Sequence, residues 1–337
     1  MGAASAKFDH SALRDFGAAM FAGRGLPEAD AQIAADGLID GDLRGVPTHG
    51  LVQLPIYLSL LEKGVTNPRP AISIAGKSAL LRVEADRAVG QVATVRTLEA
   101  LKPGVSEHGL AAASISNSGH LGGLGYFVRL AAEEGLVALV MQNGPPLMGL
   151  PGSTARAIGN NPLAFGAPVP GGPPLIFDIA TSEAAYGKIL RAQAAGAAIP
   201  EGWALDVNGV PTTDPAVALK GILVSMAGAK GIGLAMMVEI FAGSLSGTIP
   251  VAGGNIFGGF VLLADPLAVQ DSADFDAHMS QWIAAYRRSS PDARYPGERA
   301  AADRARQLQS GVVLEITLAD MLAELGAKAG IVFPSAL

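Results

Sequence analysis

The segment Gly109-Leu-Ala-Ala-Ala-Ser-Ile-Ser116, running into Asn117-Ser-Gly-His-Leu-Gly-Gly-Leu-Gly125, decides the fold class of this 337-residue chain. Its first half is a short apolar run of buried-strand length. Its second half is a glycine-rich turn. Residues 126–134 then continue as a helix pattern that Gly135 stops, and residues 136–141 form a second apolar strand. Upstream, residues 79–83 alternate loosely, and residues 90–101 read as a helix ended by Pro103-Gly104. Strand and helix therefore alternate from about residue 80 to 145. This predicts an α/β (mixed α+β) fold with a mixed or partly parallel sheet flanked by helices.

On the N-terminal side the pattern is helical. Residues 11–24 form a helix with Ser11 as cap and Gly25 as stop. Residues 29–43 form a second, with Pro27 at its entry, and residues 51–63 a third, stopped by Gly64. On the C-terminal side, residues 149–174 are loop-rich. Residues 175–178 read as a strand and 183–195 as a helix, residues 199–215 are turn-dense, and Gly228 opens another helix. A strand at 258–264, a helix at 274–287 and a last helical pattern ending at Gly330 complete the chain. There is no internal repeat.

Half of the residues are hydrophobic but only 5% are aromatic, so the cores must be built from Ala, Val, Leu and Ile. The length suggests two or three folded units. The net charge is −6 and no basic run is interleaved with aromatics, which argues against a nucleic-acid partner. The chain has no cysteine, which excludes disulfides, thiolate metal sites and cysteine nucleophiles. The five histidines show no ligand spacing, so no metal is expected. Residues 1–8 lack a signal-peptide core, and no apolar run reaches the roughly 18–20 residues that span a bilayer. The expectation is a cytoplasmic protein with no membrane association.

The chemistry-bearing stretch is Arg44-Gly-Val-Pro-Thr-His-Gly50. Pro47 stops the preceding helix, and a hydroxyl and an imidazole follow at the helix-to-loop junction. An imidazole there suits general acid/base work near neutral pH, although a solvated loop histidine has the same signature. The glycine run from His120 to Gly125 joins strand to helix, where backbone N–H groups can hold phosphate or simply allow tight packing. Lys230-Gly231 opens another helix, and that lysine can reach a phosphate or lie in solvent. Asp178, at a strand end, suits a ribose hydroxyl or a helix cap. Lys188 falls mid-helix, where lysines are usually exposed. There is no Gly-x-Gly-x-x-Gly fingerprint after a strand, no P-loop, no His-Glu-x-x-His and no Gly-x-Ser-x-Gly, so neither an ordinary Rossmann site nor a familiar hydrolase is indicated.

Seven motifs occur in one order: Arg44-Gly-Val-Pro-Thr-His-Gly50, Gly159-Asn-Asn-Pro-Leu-Ala-Phe165, Phe177-Asp-Ile-Ala-Thr-Ser182, Pro200-Glu-Gly-Trp-Ala-Leu-Asp206, Pro211-Thr-Thr-Asp-Pro215, Lys230-Gly-Ile-Gly-Leu-Ala235 and Tyr295-Pro-Gly-Glu298. That order resembles the type-2 malate/L-lactate dehydrogenase family, which includes ureidoglycolate dehydrogenase, diketogulonate reductase and the piperideine- and pyrroline-2-carboxylate reductases. The resemblance runs from about residue 10 to 330. It implies a non-Rossmann NAD- or NADP-binding fold and a homodimer. Residues 1–75 with about 270–337 would form the helical substrate and dimer region, and residues 76–269 the NAD(P)-binding sheet region.

The implied reaction is hydride transfer between nicotinamide and C2 of a 2-oxo or 2-hydroxy acid. The implied alternatives are reduction of a cyclic imine and nucleotide binding without turnover. By resemblance His49 is the acid/base with Thr48 beside it, and His120 is a second candidate for that role. Lys188 is a cation for a developing alkoxide, and Arg44, Gln53 and Asn160 meet substrate. The implied cofactor positions are His120, Leu121, Gly122, Gly123, Leu124, Asn143, Asp178, Ile179, Ala180, Thr181, Ser182, Lys230, Gly231, Pro296, Gly297 and Glu298. Three features depart from the family pattern. Thr48 replaces the usual serine, Gln53 stands where many relatives carry a carboxylate-clamping arginine, and the segment between Gly247 and Gly258 is short.

Overall fold

The computed structural model describes residues 4–76, 79–150, 152–251 and 254–337. The short 247–258 segment therefore lies partly outside the described residues.

Strand β1 (Ser5–Phe8) leads into α1 (His10–Ala22). The cap of α1 is Asp9, not the expected Ser11: its carboxylate accepts from the Ala12 N–H, and a charged acceptor suits the positive end of a helix. The helix ends at Gly23, before the expected Gly25. Helix α2 (Glu28–Leu43) follows the predicted pattern. The predicted helix over 51–63 is broken. Residues Pro47–His49 and Leu51–Gln53 form single 3-10 turns, and only α3 (Leu54–Glu62) is α-helical, with Pro55 in its first turn.

Then come β2 (Ser73–Ala75), β3 (Leu80–Glu84) and α4 (Gly90–His108). Pro103 does not end α4, contrary to the sequence expectation. Leu98, Leu101 and Val105 are buried, and this packing outweighs the one N–H that proline lacks. The helix stops at left-handed Gly109. Next are β4 (Leu110–Ser118), α5 (Gly125–Glu133), β5 (Val137–Gln142) and β6 (Met148–Gly149). The stretch expected to be loop holds a central strand, β7 (Leu163–Ala167), followed by β8 (Leu175–Ile179). Gly166 made β7 resemble a loop. It is glycine because a Cβ there would stand 2.6 Å from the Val128 carbonyl of α5.

Beyond β8 lie α6 (Tyr186–Ala194), β9 (Ala204–Leu205), β10 (Pro211–Thr212), α7 (Pro215–Lys220), β11 (Ile222–Val224) and α8 (Ala229–Val238). Helix α8 widens into a π-helical turn at Glu239–Ser244. The chain closes with β12 (Phe257–Ala264), α9 (Ser272–Arg288), α10 (Glu298–Ser310), β13 (Val312–Glu315) and α11 (Ile316–Ala329). The sequence did not show β13, which interrupts the last helical pattern and pairs antiparallel with β1.

The main sheet has the order β2-β3-β4-β12-β5-β7-β8. Only β3 and β4 are parallel neighbours, joined through α4 as a crossover. Both β4 and β5 pair antiparallel with β12, and β7 lies antiparallel between β5 and β8. Consequently β3, β4, β5 and β8 all end at one sheet edge, where β7 and β12 begin. Helices α4 and α5 cover one face, and Val238 and Ala242 pack with Met141 and Phe260 on the other. A second core joins α1, α2, α3 and α11 to β1 and β13, and a third underlies the small sheet β10-β9-β11-β6. No described helix is long and apolar enough to cross a membrane.

The contact at Gly166 gives a stability prediction. Gly166→Ala must lift α5 from the sheet and should lower the unfolding free energy by about 1–3 kcal/mol in urea titration. An unchanged midpoint would mean that α5 has slack at this point.

Candidate active site

The converging strand ends collect most of the residues that the sequence singled out. His120 and the glycine run leave β4, Asn143 leaves β5, residues 180–182 leave β8, and Asn160 precedes β7. Helix α2 brings His49 over the same edge. Gly41, in the last turn of α2, lets the His49 carbonyl approach so closely that a Cβ would lie 2.7 Å from it. The buried Asp42 carboxylate accepts from the Leu51 N–H at 2.8 Å, and Gly50 lies so close over it that any side chain would overlap. The Gln53 amide donates to the Thr48 carbonyl at 2.7 Å. The turn carrying Thr48 and His49 is therefore held from three sides.

The His49 and His120 rings stack with centroids 6.3 Å apart and planes 23° from parallel. The Thr48 hydroxyl lies 3.2 Å from His49 Nδ1, and the Tyr57 hydroxyl 2.9 Å from His120 Nδ1. Phe257 meets the His120 ring edge-on, with centroids 5.7 Å apart. Burial holds the His49 imidazole below its ordinary value of 6.5. The Asp178 carboxylate opposes that shift and the Arg44 guanidinium adds to it. Burial, with help from His49, takes His120 down to about 3. Both rings are therefore neutral near pH 7.

The glycine run wraps this pair. A Cβ on Gly123 would sit 3.4 Å from both His49 Cβ and an Arg44 terminal nitrogen, and one on Gly125 would sit 2.6 Å from Arg44 and 2.9 Å from Asp178. Asp178 accepts from the Gly125 N–H at 2.7 Å, so it caps α5 and not the segment that follows it. Arg44 is buried and its Nε pairs with Asp40. Asp40 also pairs with Arg129 of α5 at 3.0 Å and lies 3.8 Å from Arg304 of α10.

The remaining expected residues divide into two groups. Residues 178–182 and Lys230-Gly231 are adjacent: Met226 donates to the Thr181 carbonyl, and a Cβ on Gly231 would stand 2.9 Å from that same oxygen. Lys230 is exposed at the start of α8, and the space beside left-handed Gly228 is open. Asn160 accepts from Thr181 through its backbone carbonyl. Leu121 is buried and its N–H is held by Gln142. Asn143 is wholly buried, and its side chain is used by Glu239, the Thr248 carbonyl and the Gly258 N–H. Pro296, Gly297 and Glu298 lie apart, at the opposite end of β8, where Ile176 donates to Pro296 and Glu298 pairs with Arg287. Lys188 is exposed with its ammonium 5.9 Å over the Trp203 ring, although its neighbour Gly187 abuts Thr48.

Sequence reasoning missed Tyr57, Gln91, Gln142, Asn161, Glu239, Asp40 and Asp42. A signal existed for two of them. Asp40 and Asp42 are carboxylates in an otherwise apolar helix segment rich in glycine, with Arg44 four residues after Asp40.

Residues 8–323 match the family model described as malate/L-lactate dehydrogenase. The chain belongs to the malate/L-lactate dehydrogenase family. It is 40% identical over 226 residues to a (2R)-3-sulfolactate dehydrogenase (NADP(+)) of Chromohalobacter salexigens, covering 66% of this chain and 67% of the relative. It is 35% identical to the ureidoglycolate dehydrogenase (NAD(+)) of Escherichia coli, covering 81% and 82%. It is 33% identical to a Delta(1)-pyrroline-2-carboxylate reductase of Ancylobacter novellus, covering 90% and 93%. The sulfolactate dehydrogenase structure from Methanocaldococcus jannaschii superposes with a TM-score of 0.89 at 27% identity, covering 97% of this chain and 98% of that one. With membership in the family comes its reaction class, NAD(P)-dependent dehydrogenation or reduction.

The described residues fit a dinucleotide. The glycine run leaves backbone bare beside His49, and the α8 start offers Lys230, an open glycine and a helix N-terminus for phosphate oxygens. The shared carboxylate generates a prediction. Asp40→Ala leaves the buried Arg44 guanidinium without its carboxylate and Arg129 with Glu133 alone, and should cost about 3–5 kcal/mol in denaturant unfolding. A loss below about 1 kcal/mol would show that the cluster does not hold these helices together.

Proposed function

We propose that this chain moves hydride between a bound NAD or NADP and C2 of a 2-hydroxy or 2-oxo acid, with His49 as the acid/base. The observation that carries this reading is the stacked pair of neutral imidazoles at the glycine-lined sheet edge. When bound, the nicotinamide supplies or accepts the hydride. In oxidation the neutral His49 takes the hydroxyl proton, and in reduction it returns it. The Thr48 hydroxyl at Nδ1 orients the ring and leaves Nε2 for substrate. Arg44 lends positive charge beside His49 while Asp40 fixes its Nε. Gln53 supports the Thr48 turn through its amide nitrogen, which leaves its oxygen for a substrate donor.

For the cofactor, residues 120–124, 178–182, Lys230 and Gly231 supply the adjoining walls. Asn143 has only its backbone carbonyl to offer, because its side chain is committed. Residues 296–298 act by bracing β8, and Lys188 closes the α6 side of the site. In this reading residues 1–75 with 270–337 form the substrate and dimer region, and residues 76–269 hold the dinucleotide. A homodimer is supported by exposed Met236, Ile240, Leu245 and Ile249 on and after α8, an apolar face that a second copy would cover. A chain without cysteine also suits the cytoplasm. A cyclic-imine substrate is the second reading. It is favoured by Gln53, which carries no guanidinium to clamp a second carboxylate, and by likeness to the pyrroline-2-carboxylate reductase over 90% of this chain.

The first experiment is titration with NADH and NADPH followed by nicotinamide fluorescence, then a panel of 2-oxo acids and cyclic imines. Tight binding with turnover is expected. Binding without any turnover would leave only a nucleotide-binding protein. His49→Ala should lower kcat by about 10²–10⁴-fold with nucleotide affinity near wild type. Activity retained within a few fold would move the role to His120. Since burial lowers the His49 pKa, the base form persists below its ordinary value, and activity is lost as pH falls through the lowered one. The acid limb of kcat/KM for oxidation should therefore lie below pH 6.5. A limb above that value would contradict the assignment. Ile240→Asp should shift light-scattering mass toward the monomer, and a wild-type monomer would refute the dimer.

A further inference from the structure

Behind His120 lies a hydrogen-bonded chain that neither the motifs nor the acid/base reading uses. The Tyr57 hydroxyl is 2.9 Å from His120 Nδ1, and the Gln91 amide nitrogen is 3.4 Å from the Tyr57 oxygen. Tyr57 and Gln91 are 6% and 2% exposed, so each atom in the chain must be satisfied within the protein or go without. The Gln91 carbonyl oxygen goes without. We propose that Tyr57, oriented by Gln91, is a positioning residue that fixes His120 with its proton on Nε2, making His120 a neutral hydrogen-bond donor to the substrate oxygen. This rests on the proposed reaction with His49 as the acid/base, the His120 ring stacked beside it facing the same substrate.

The direction of the chain follows from proton counting. With the Gln91 NH2 donating to the Tyr57 oxygen, the single phenolic proton is left to donate to Nδ1, which must then present a lone pair. A neutral imidazole has one proton, so it sits on Nε2. Reversing the chain requires the Gln91 carbonyl to face Tyr57. That would bury an NH2 with no acceptor in place of a bare carbonyl, and orphaned N–H groups are the rarer and costlier of the two. Burial supports the same protonation states: it pushes the Tyr57 phenol up to about 12 and keeps His120 uncharged. The void bordered by Tyr57, Thr66, Val89 and His120 measures about 10 Å³, room for one water at most. Tyr57 thus acts through His120 and not on substrate from that side. A neutral imidazole N–H polarises a carbonyl oxygen without giving up its proton, which leaves proton transfer to His49.

The test is nitrogen NMR of the 15N-histidine-labelled protein without nucleotide or substrate, with His120 identified by signal loss in His120→Asn. Two-bond correlations show which ring nitrogen carries the proton. The expected wild-type result is a protonated Nε2 and a bare Nδ1 near neutral pH. Tyr57→Phe keeps the ring and removes the donor, so His120 should shift to mixed tautomers and kcat/KM should fall about tenfold, with nucleotide affinity unchanged. Gln91→Met should weaken the tautomer preference in the same direction. A wild-type proton on Nδ1, or a Tyr57→Phe protein with the original tautomer or undiminished kcat/KM, overturns the proposal. The tautomer is read without turnover, so an enzyme inactive on every substrate offered would count against the proposed reaction and leave this result standing.

Discussion

The buried carboxylate of Asp40 is the constraint on which the rest of the arrangement depends. It sits near the end of α2 and takes guanidinium groups from Arg44, which caps the same helix, and Arg129 on α5, with Arg304 of α10 close by. Those elements come from three distant parts of the chain: the N-terminal helices, the helix packed on the main sheet and the C-terminal segment. One charge therefore ties the end of α2, from which the Thr48-His49 turn leaves, to the helix α5 on the main sheet. A hydrophobic residue could fill the volume, but the buried Arg44 would then lack a counter-charge and Arg129 would be left with Glu133 alone.

Topology supplies the other half of the site. An antiparallel partner placed between β4 and β5 makes those two strands run the same way, although they are not neighbours. The same relation through β7 sets the direction of β8. The sheet is mostly antiparallel, yet it presents several strand ends on one side, as a parallel open sheet does. The histidines delivered there are half-buried, and that burial keeps them neutral near pH 7. The two then differ in what touches Nδ1: a threonine hydroxyl for one and a buried phenol for the other. In the proposed mechanism that difference divides labour between two otherwise similar rings.

Much of this was legible in the sequence where chain-local physics decides the outcome. Helix α2, strand β4, the glycine run and the strand at 175–178 are read from periodicity and turn chemistry, and the order of seven short motifs gave the family. Where non-local contacts decide, the reading failed for identifiable reasons. Pro103 failed to stop α4 because the residues around it are buried against the sheet. Gly166 looked like a loop residue because its reason for being glycine is a helix about forty residues earlier. Strand β13 exists only because β1 is there to pair with it. Among the site residues, His49, His120, Arg44, Thr48 and Asp178 were legible and come together. Asn143 was legible as a position, but its side chain is spent on structure. Tyr57 and Gln91 carried no signal, since a tyrosine and a glutamine on amphipathic helices look like ordinary packing residues.

Residues 122–125 have an implication for how the protein can change. Gly125 faces Arg44 and Asp178 at distances that exclude even a methyl group without movement, Gly123 meets Arg44 and His49 at ordinary contact distance, and Gly122 combines a left-handed backbone with a Gln91 amide in the way. Backbone here occupies the space that side chains occupy elsewhere. In the proposed reading this is the wall shared by nucleotide and acid/base, and its glycines offer no side chain through which preference for one substrate over another can be adjusted. On that reading selectivity is set on the opposite side, at side chains such as Thr48 and Gln53 whose atoms can be altered without moving the main chain. A shift in substrate range should be reachable by few substitutions on that side, while the glycine side accepts almost none.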